Sequence, residues 1–326
     1  MEVPGLSLLE VKNLNKRFGD VVAVRDVSFS IVRGEVFGFL GPNGAGKTTT
    51  INMLTGLARP TSGSIWLSNI DCVNDTKKAQ QKIGIVPDES NLYDEMDGFE
   101  NLCFCAALYG MKKKERERRA RELLQLFGLD SVGKRPFRAY SKGMKRKLTI
   151  AAGIIHEPEL LYLDEPTTGI DVESARQIRS LSSTLNQKGM TIFLTTHYIE
   201  DAERLCDRIG FIVGGSVVRL DRVTALIEDA QKESVVQFYL ADGAKSVARE
   251  LSEHFPAMTV AALDDHSIQV RSKNQLQLMP FMQFFTARGC PVYEARRIKP
   301  TLEDVFVQVT GVALKQQADG MGGSNR

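Results

Sequence analysis

Polar and apolar positions alternate early in the chain. Val27, Phe29 and Ile31 are separated by Ser28 and Ser30, the period of a half-buried strand, and Leu8 to Phe39 reads as strands. Arg33-Gly34 turns the chain into Glu35-Val36-Phe37-Gly38-Phe39-Leu40, a short apolar strand. After a glycine-bearing interval, Ile51, Leu54 and Leu57 recur at the spacing of one helical face. Pro60-Thr61-Ser62-Gly63 marks a turn, Ser64-Ile65-Trp66-Leu67 returns to strand, and Lys82-Ile83-Gly84-Ile85-Val86 gives another that stops at Pro87. Helical periodicity then takes over from Asn101 to Leu129, so that about 89–153 is expected to form a mainly helical insert. Within it Lys112-Lys113-Lys114, Arg116, Arg118, Arg119 and Arg121 are interleaved with Glu115, Glu117 and Glu122, which reads as a solvated helix face. Two further strand runs follow, Leu160 to Leu163 and Thr191 to Thr196.

Beyond Leu220 the pattern changes to strand (Val235–Leu240), helix (Gly243–Phe255), two strands around Asp264-Asp265, helix (Gln275–Gly289) and strand (Val292–Ile298). This βαββαβ order predicts a small ferredoxin-like α+β domain. Thr301 and Asp304, spaced as a capping box, open a last helix. The expected division is 1–225, 226–311 and a polar, glycine-bearing tail at 312–326, predicted to be disordered.

The glycine-bearing interval is where chemistry enters. Gly41-Pro42-Asn43-Gly44-Ala45-Gly46-Lys47-Thr48 fits G-x-x-x-x-G-K-[ST] and lies between a strand and a helix, as a P-loop requires. Its glycines let successive N–H groups converge with the helix N-terminus, Thr49 included, on a polyphosphate. Lys47 is placed to reach the β- and γ-phosphates and Thr48 to hold Mg²⁺. The run through Leu163 ends in Asp164 and Glu165, where a metal ligand and a water-orienting base are expected at the carboxyl edge of an α/β sheet. The strand ending at Thr196 delivers His197 to the same edge. Phe18, ahead of the P-loop, offers an aromatic face for a base to stack on, and Ser141 opens a helical stretch as a cap.

Composition narrows the setting. With 326 residues, 43% of them hydrophobic, the chain can fill two cores of unequal size. A net charge of +2 gives no global case for nucleic acid. The five cysteines form no C-x-x-C pair, which points away from a zinc site or a disulfide framework and toward a reducing, cytoplasmic setting. No apolar run approaches the ~18 residues of a membrane span, and Met1-Glu2 is unlike the start of a signal peptide.

Taken in order, these motifs resemble the ATP-binding subunit of an ABC transporter. Tyr140-Ser141-Lys142-Gly143-Met144 stands at the family's signature position, Leu160 to Glu165 at Walker B, Thr168-Gly169-Ile170-Asp171 at the D-loop and His197 at the switch histidine. The resemblance covers roughly Leu8 to Leu220 and implies a P-loop NTPase core with an antiparallel β flank and a helical insert. It also implies ATP and Mg²⁺, hydrolysis coupled to transport, a separate membrane permease and a second cassette, two cassettes facing head to tail around two ATP molecules. Ser141, Lys142 and Gly143 would then cap the partner's γ-phosphate, Glu165 would polarise the attacking water, His197 would hold it in line and Asp171 would link the two sites. Two departures stand out. Lys142 and Met144 replace the common Gly and Gln, and Asp88 occupies the place of the Q-loop glutamine, where it is a further candidate Mg²⁺ contact. The Pro87-Asp88-Glu89 form and the segment from Pro300 resemble drug- and antibiotic-resistance exporter ATPases. DNA-repair relatives carry a long coiled coil and translation relatives two cassettes; neither sustained heptads nor a second P-loop is seen here.

Overall fold

The computed structural model describes residues 7–132, 134–231, 234–298 and 301–311. The chain divides into two compact units, one running to Val223 and resuming at Val309, the other spanning Thr224 to Gln308. The predicted tail at 312–326 lies outside the described residues, as do Met1 and Glu2.

In the first unit, β1 (Ser7–Phe18) and β2 (Val21–Val32) pair antiparallel, and β3 (Val36–Leu40) leads through the glycine loop into α1 (Lys47–Leu54). Strands β4 (Ser62–Leu67) and β5 (Ile70–Asp71) complete an antiparallel sheet of order β2-β1-β4-β5. Helix α2 (Thr76–Gln80) precedes β6 (Ile83–Val86), and α3 (Gly98–Leu108), α4 (Lys113–Leu126) and α5 (Lys142–Gly153) form the insert. Then come β7 (Leu160–Asp164), α6 (Val172–Gln187), β8 (Thr191–Thr196), α7 (Ile199–Leu205), β9 (Arg208–Val213) and β10 (Ser216–Arg222).

The second sheet has the order β10-β9-β3-β8-β7-β6; all its pairs are parallel except β10 with β9 at the edge. Parallel pairing has a direct consequence for chemistry. The carboxyl ends of β3, β6, β7 and β8 lie along one edge, so the P-loop, Asp88, Glu165 and His197 issue from the same side. Between the two sheets Phe29 stacks on Phe37 with ring centroids 5.0 Å apart, and Phe193 lies 5.8 Å from Phe37 and 5.5 Å from Tyr162. These rings belong to a buried apolar cluster that also takes in Ile51 and Leu54 of α1, anchoring the helix that follows the loop.

Leu57 departs from its expected place. It is 66% exposed, because α1 stops at Leu54 and Gly56, at φ 76°, turns the chain in a left-handed conformation that takes Leu57 off the helical face. Helix α3 opens on Asp97, whose carboxylate accepts from Glu100 N at 2.8 Å while the Glu100 carboxylate accepts from Asp97 N at 3.0 Å, a full capping box.

After α8 (Val223–Gln231), the second unit runs β11 (Ser234–Leu240), α9 (Ala244–His254), β12 (Thr259–Ala262), β13 (Ser267–Ser272), α10 (Leu278–Ala287) and β14 (Val292–Ile298), and α11 (Leu302–Thr310) follows. Its strands form an antiparallel sheet of order β12-β13-β11-β14. Val236, Phe238, Leu240, Ile268 and Val270 pack with Val247 and Leu251 of α9 and Phe281 and Phe285 of α10. Strand alternation and helical spacing thus meet in one core. At α11, Thr301 N donates to the Asp304 carboxylate at 2.8 Å and Asp304 N donates to Thr301 Oγ1 at 3.4 Å.

Candidate active site

The loop after β3 owes its path to glycine. A Cβ at Gly41 would sit 2.3 Å from the Ile212 carbonyl oxygen, and Gly46, at φ 105°, is in a region that side chains rarely enter. With no side chain capping α1, the N–H groups of Lys47, Thr48 and Thr49 begin the helix without an intrahelical acceptor, the arrangement that receives anions. Gly215 N donates to Ala45 O at 3.0 Å, bracing the loop from the β9–β10 turn.

This loop borders a cleft of about 460 Å³. Asn43, Gly44, Gly46, Lys47, Thr48 and Thr49 line one wall, Asp88, Glu165, Thr168 and His197 another, and Val21 to Ala23 with Gly214 and Gly215 the rest. Its volume falls in the range of small-molecule sites. Lys47 is buried, and its ammonium donates to Gly41 O at 2.8 Å and Pro42 O at 3.2 Å while standing 3.2 Å from Glu165 Oε1. The other Glu165 oxygen, Oε2, is 2.7 Å from His197 Nδ1 and accepts from Thr168 Oγ1 at 3.3 Å. Glu165 is therefore held on both carboxylate oxygens, and its backbone, at φ 47°, lies in the left-handed region that an ordinary side chain avoids.

The two adjacent acids are pushed in opposite directions. Burial raises Asp164 above the ordinary carboxylate range, repulsion from Glu165 adds to it, and hydrogen bonds from Thr195 and Thr48 only partly oppose it. Burial also works to raise Glu165, but the His197 hydrogen bond and the Lys47 charge outweigh it and leave the carboxyl lowered. At this edge the two carboxyls are biased apart, Glu165 toward its ionised form and Asp164 away from it. Asp88 is half-exposed and raised, burial first, with repulsion from Asp164 and Glu165 adding and the nearby Arg146 opposing.

The hydroxyl of Thr48 and the carboxylates of Asp164 and Asp88 make a hard oxygen set suited to Mg²⁺, which keeps several waters and shares its ligands with phosphate. Among the described residues no group of three or more His, Cys, Asp or Glu side chains forms a metal cage by itself.

The structure gathers Asn43, Gly44, Gly46, Lys47, Thr48, Thr49, Asp88, Glu165 and His197 around the cleft. Gly41, Pro42 and Ala45 of the loop are not in its lining, nor is Asp164, which is buried with its carboxylate accepting from Thr195 Oγ1, and Phe18, Ser141, Lys142, Gly143 and Asp171 also lie outside it. Phe18 is 54% exposed at the end of β1, with the Lys16 ammonium 4.8 Å from its ring centre; Val21 and Val22 take the place at the wall. Ser141 caps α5 by accepting from Met144 N at 3.2 Å, and Gly143 packs so closely on α6 that a Cβ would meet Ser174 Oγ at 2.2 Å. Asp171 caps α6, accepting from Ser174 N at 2.8 Å.

Sequence reading passed over Arg146, which is 4% exposed and donates to the carbonyl oxygens of Pro87, Asp164 and Glu165. Its signal was positional. Gly143, Arg146, Ile150 and Gly153 fall on one face of α5, all buried, whereas the basic run Lys145-Arg146-Lys147 suggests a solvated one. Gly214-Gly215 was likewise missed, although a glycine pair between two strands is itself a turn signal.

Comparison with known proteins matches these features. Residues 24–168 fit the family profile described as ABC transporter. A linearmycin resistance ATP-binding protein of Bacillus subtilis is 37% identical over 310 residues, covering 94% of this chain and 100% of the relative. The Nod factor export ATP-binding protein I of Bradyrhizobium diazoefficiens is 33% identical over 316 residues, covering 94% and 98%. A solved ATP-binding subunit of an ABC transporter superposes with a TM-score of 0.63 at 32% identity, over 69% of this chain and 93% of that one. A dimeric ATP-binding cassette in a post-hydrolysis state with ADP and Pi gives 0.60 at 28% identity, over 66% and 98%.

Proposed function

The chain belongs to the ABC transporter family as an ATP-binding, ATP-hydrolysing subunit of its exporter branch, and from that premise we propose how its cleft works and what it serves. ATP lies with its phosphates on the N–H groups of Gly44 to Thr49, the loop of Gly41, Pro42, Asn43 and Ala45 shaping the cradle and Lys47 holding the β- and γ-phosphates. Thr48 and Asp164, together with Asp88, would hold Mg²⁺, which would supply neutralising charge for the phosphates. Glu165 accepts a hydrogen bond from the attacking water, and His197, bonded to Glu165 at 2.7 Å, fixes that carboxylate and the γ-phosphate in line. The observation that carries this reading is the Lys47–Glu165–His197 contact set at the mouth of the P-loop.

Ser141, Lys142 and Gly143 lie outside the cleft lining, and this supports a second role for them. A helix start capped by an exposed Ser141 is suited to the γ-phosphate held by another copy, so two cassettes head to tail would complete two sites. Asp171, exposed at the start of α6, would sense the facing site. Phe18, with its open ring, would stack on the adenine. Among the described residues no helix is long and apolar enough to cross a membrane. We therefore assign the transmembrane path to a separate permease, with this subunit docked on its cytoplasmic face. The strand order β12-β13-β11-β14 with α9 and α10 supports a ferredoxin-like assignment for the C-terminal unit.

Purification of the Glu165→Gln variant from native membranes with ATP tests the partnership. Recovery of a polytopic membrane chain supports a permease-bound engine. Recovery of only ribosomal or DNA-bound proteins, with ATP binding intact, refutes it.

A further inference from the structure

One buried cation ties together elements that the chemistry above treats separately. Arg146 projects from the buried face of α5; its Nη2 donates to Glu165 O at 2.7 Å and to Asp164 O at 3.4 Å, its Nη1 donates to Pro87 O, and Nη2 lies 3.6 Å from Asp88 Oδ1. Four partners thus come from the ends of two parallel strands, β6 and β7. A guanidinium is the side chain suited to this, since it is planar, permanently charged and carries donors in a fixed fork.

Glu165 needs such a hold. Its left-handed backbone is a conformation that persists only where neighbouring groups impose it. The described bonds on that peptide are few: Glu165 N donates to Thr195 O at 3.1 Å and to Thr195 Oγ1 at 3.2 Å, Thr168 N donates to Glu165 O at 3.1 Å, and Arg146 takes the same carbonyl. Arg146 is the one among these that comes from another element than the β7 turn or β8. Ser141 caps the same helix, so the capped start of α5 and the guanidinium that holds the Glu165 backbone belong to one element.

We propose that Arg146 is a positioning residue for ATP hydrolysis: it fixes the Glu165 peptide and couples its placement to the orientation of α5. This rests on the reading of Glu165 as the water-orienting base. Neutralising Asp88 is the lesser part of its role, because three of its four contacts are to backbone carbonyls.

The test uses the full chain and compares Arg146→Gln, Arg146→Lys, Asp88→Asn and the Asp88→Asn/Arg146→Gln double variant. Turnover and KM for ATP are measured together with the affinity for a fluorescent ATP analogue. An ångström-scale misplacement of the base predicts that Arg146→Gln loses about a hundredfold in kcat while analogue affinity stays within about threefold. Lysine retains the charge but not the fork, so Arg146→Lys should remain at least about tenfold slow. If charge balance with Asp88 were the whole role, the double variant would turn over at the rate of Asp88→Asn; the proposal expects it about a hundredfold slower than that single variant. Wild-type kcat in Arg146→Gln, full rescue by lysine, or recovery in the double variant each overturns it. If Arg146→Gln does not fold, the lysine variant decides alone, its fold checked by thermal unfolding. Glu165→Gln separates the two levels: rapid turnover there sinks the reading of Glu165, whereas loss there with active Arg146 variants sinks only the positioning role.

Discussion

The two units follow the same rules of packing but break them to different degrees. In the first, Lys47, Arg146, Asp164, Glu165 and Asp201 are all buried, and Glu165 is held in a left-handed conformation. Among the described residues of the second, the buried polar side chains are Ser234 and Ser267, and no residue other than glycine has positive φ. Burying charge costs free energy unless each group is paired, and strain persists only where surroundings impose it. The first unit carries such groups at the cleft, in Lys47 and Glu165, and also away from its lining, in Asp201 paired with Arg179 at 2.8 Å and Glu35 paired with Arg208 at 3.1 Å. The second spends its sequence on a core.

The sharpest test of this contrast is to damage the second core alone. Phe285 is fully buried, 5.1 Å from Phe238. Phe285→Ala should destabilise that unit by about 3–5 kcal/mol, seen by calorimetry as a lowered transition. Affinity for a fluorescent ATP analogue should be unchanged; a loss of ATP binding would show that the two regions are not separate in function. In the cleft, Glu165→Gln keeps the shape and removes the charge. It should slow hydrolysis by about 10²–10³ while ATP remains bound, measured as single-turnover rate against filter-bound nucleotide. Rapid turnover by this variant breaks the assignment of the base.

The same contrast explains what the sequence made readable. The P-loop, Glu165 and His197 were found because each ends or follows a strand, and parallel pairing then forces them to one edge. The C-terminal elements were found because Val236, Phe238 and Leu240 alternate and Val247 and Leu251 share a helical face. Arg146 escaped because three of its four partners are backbone carbonyls brought near only by the tertiary fold, and no local pattern marks a carbonyl as unpaired. Leu57 went the other way: its spacing continued the helix, but Gly56 ended it one step earlier. The β9–β10 pair was also missed, and its Gly214-Gly215 turn supplies part of the cleft wall.

Charge outside the cleft should matter through stability alone. Burial works against ionisation of Glu159, but hydrogen bonds from Lys82, Arg33 and Ser68 prevail and bring its pKa from 4.5 down to about 2. A depressed acid contributes stability that is fully present above its unfolded pKa and is lost as pH falls through the folded one, so the window runs from about 4.5 to about 2. With solvent screening of these partly exposed groups, its worth is on the order of 1 kcal/mol. Glu159→Gln should flatten that part of the acid-unfolding curve and leave the ATPase rate at neutral pH untouched.

The smallest effect is expected where the first unit obeys ordinary helix grammar. Asp97 satisfies one donor at the start of α3, and Glu100 returns a bond to the Asp97 N–H. Asp97→Ala removes half of that exchange and should cost about 1 kcal/mol. For a unit of this size the melting temperature should fall by about 2–4 °C. Neither residue is part of the cleft lining, so kcat and the affinity for ATP should hold their wild-type values. A fall in kcat without the thermal shift would mean that the start of α3 acts on the chemistry, and would extend the functional region of the first unit into a segment whose capping box serves stability.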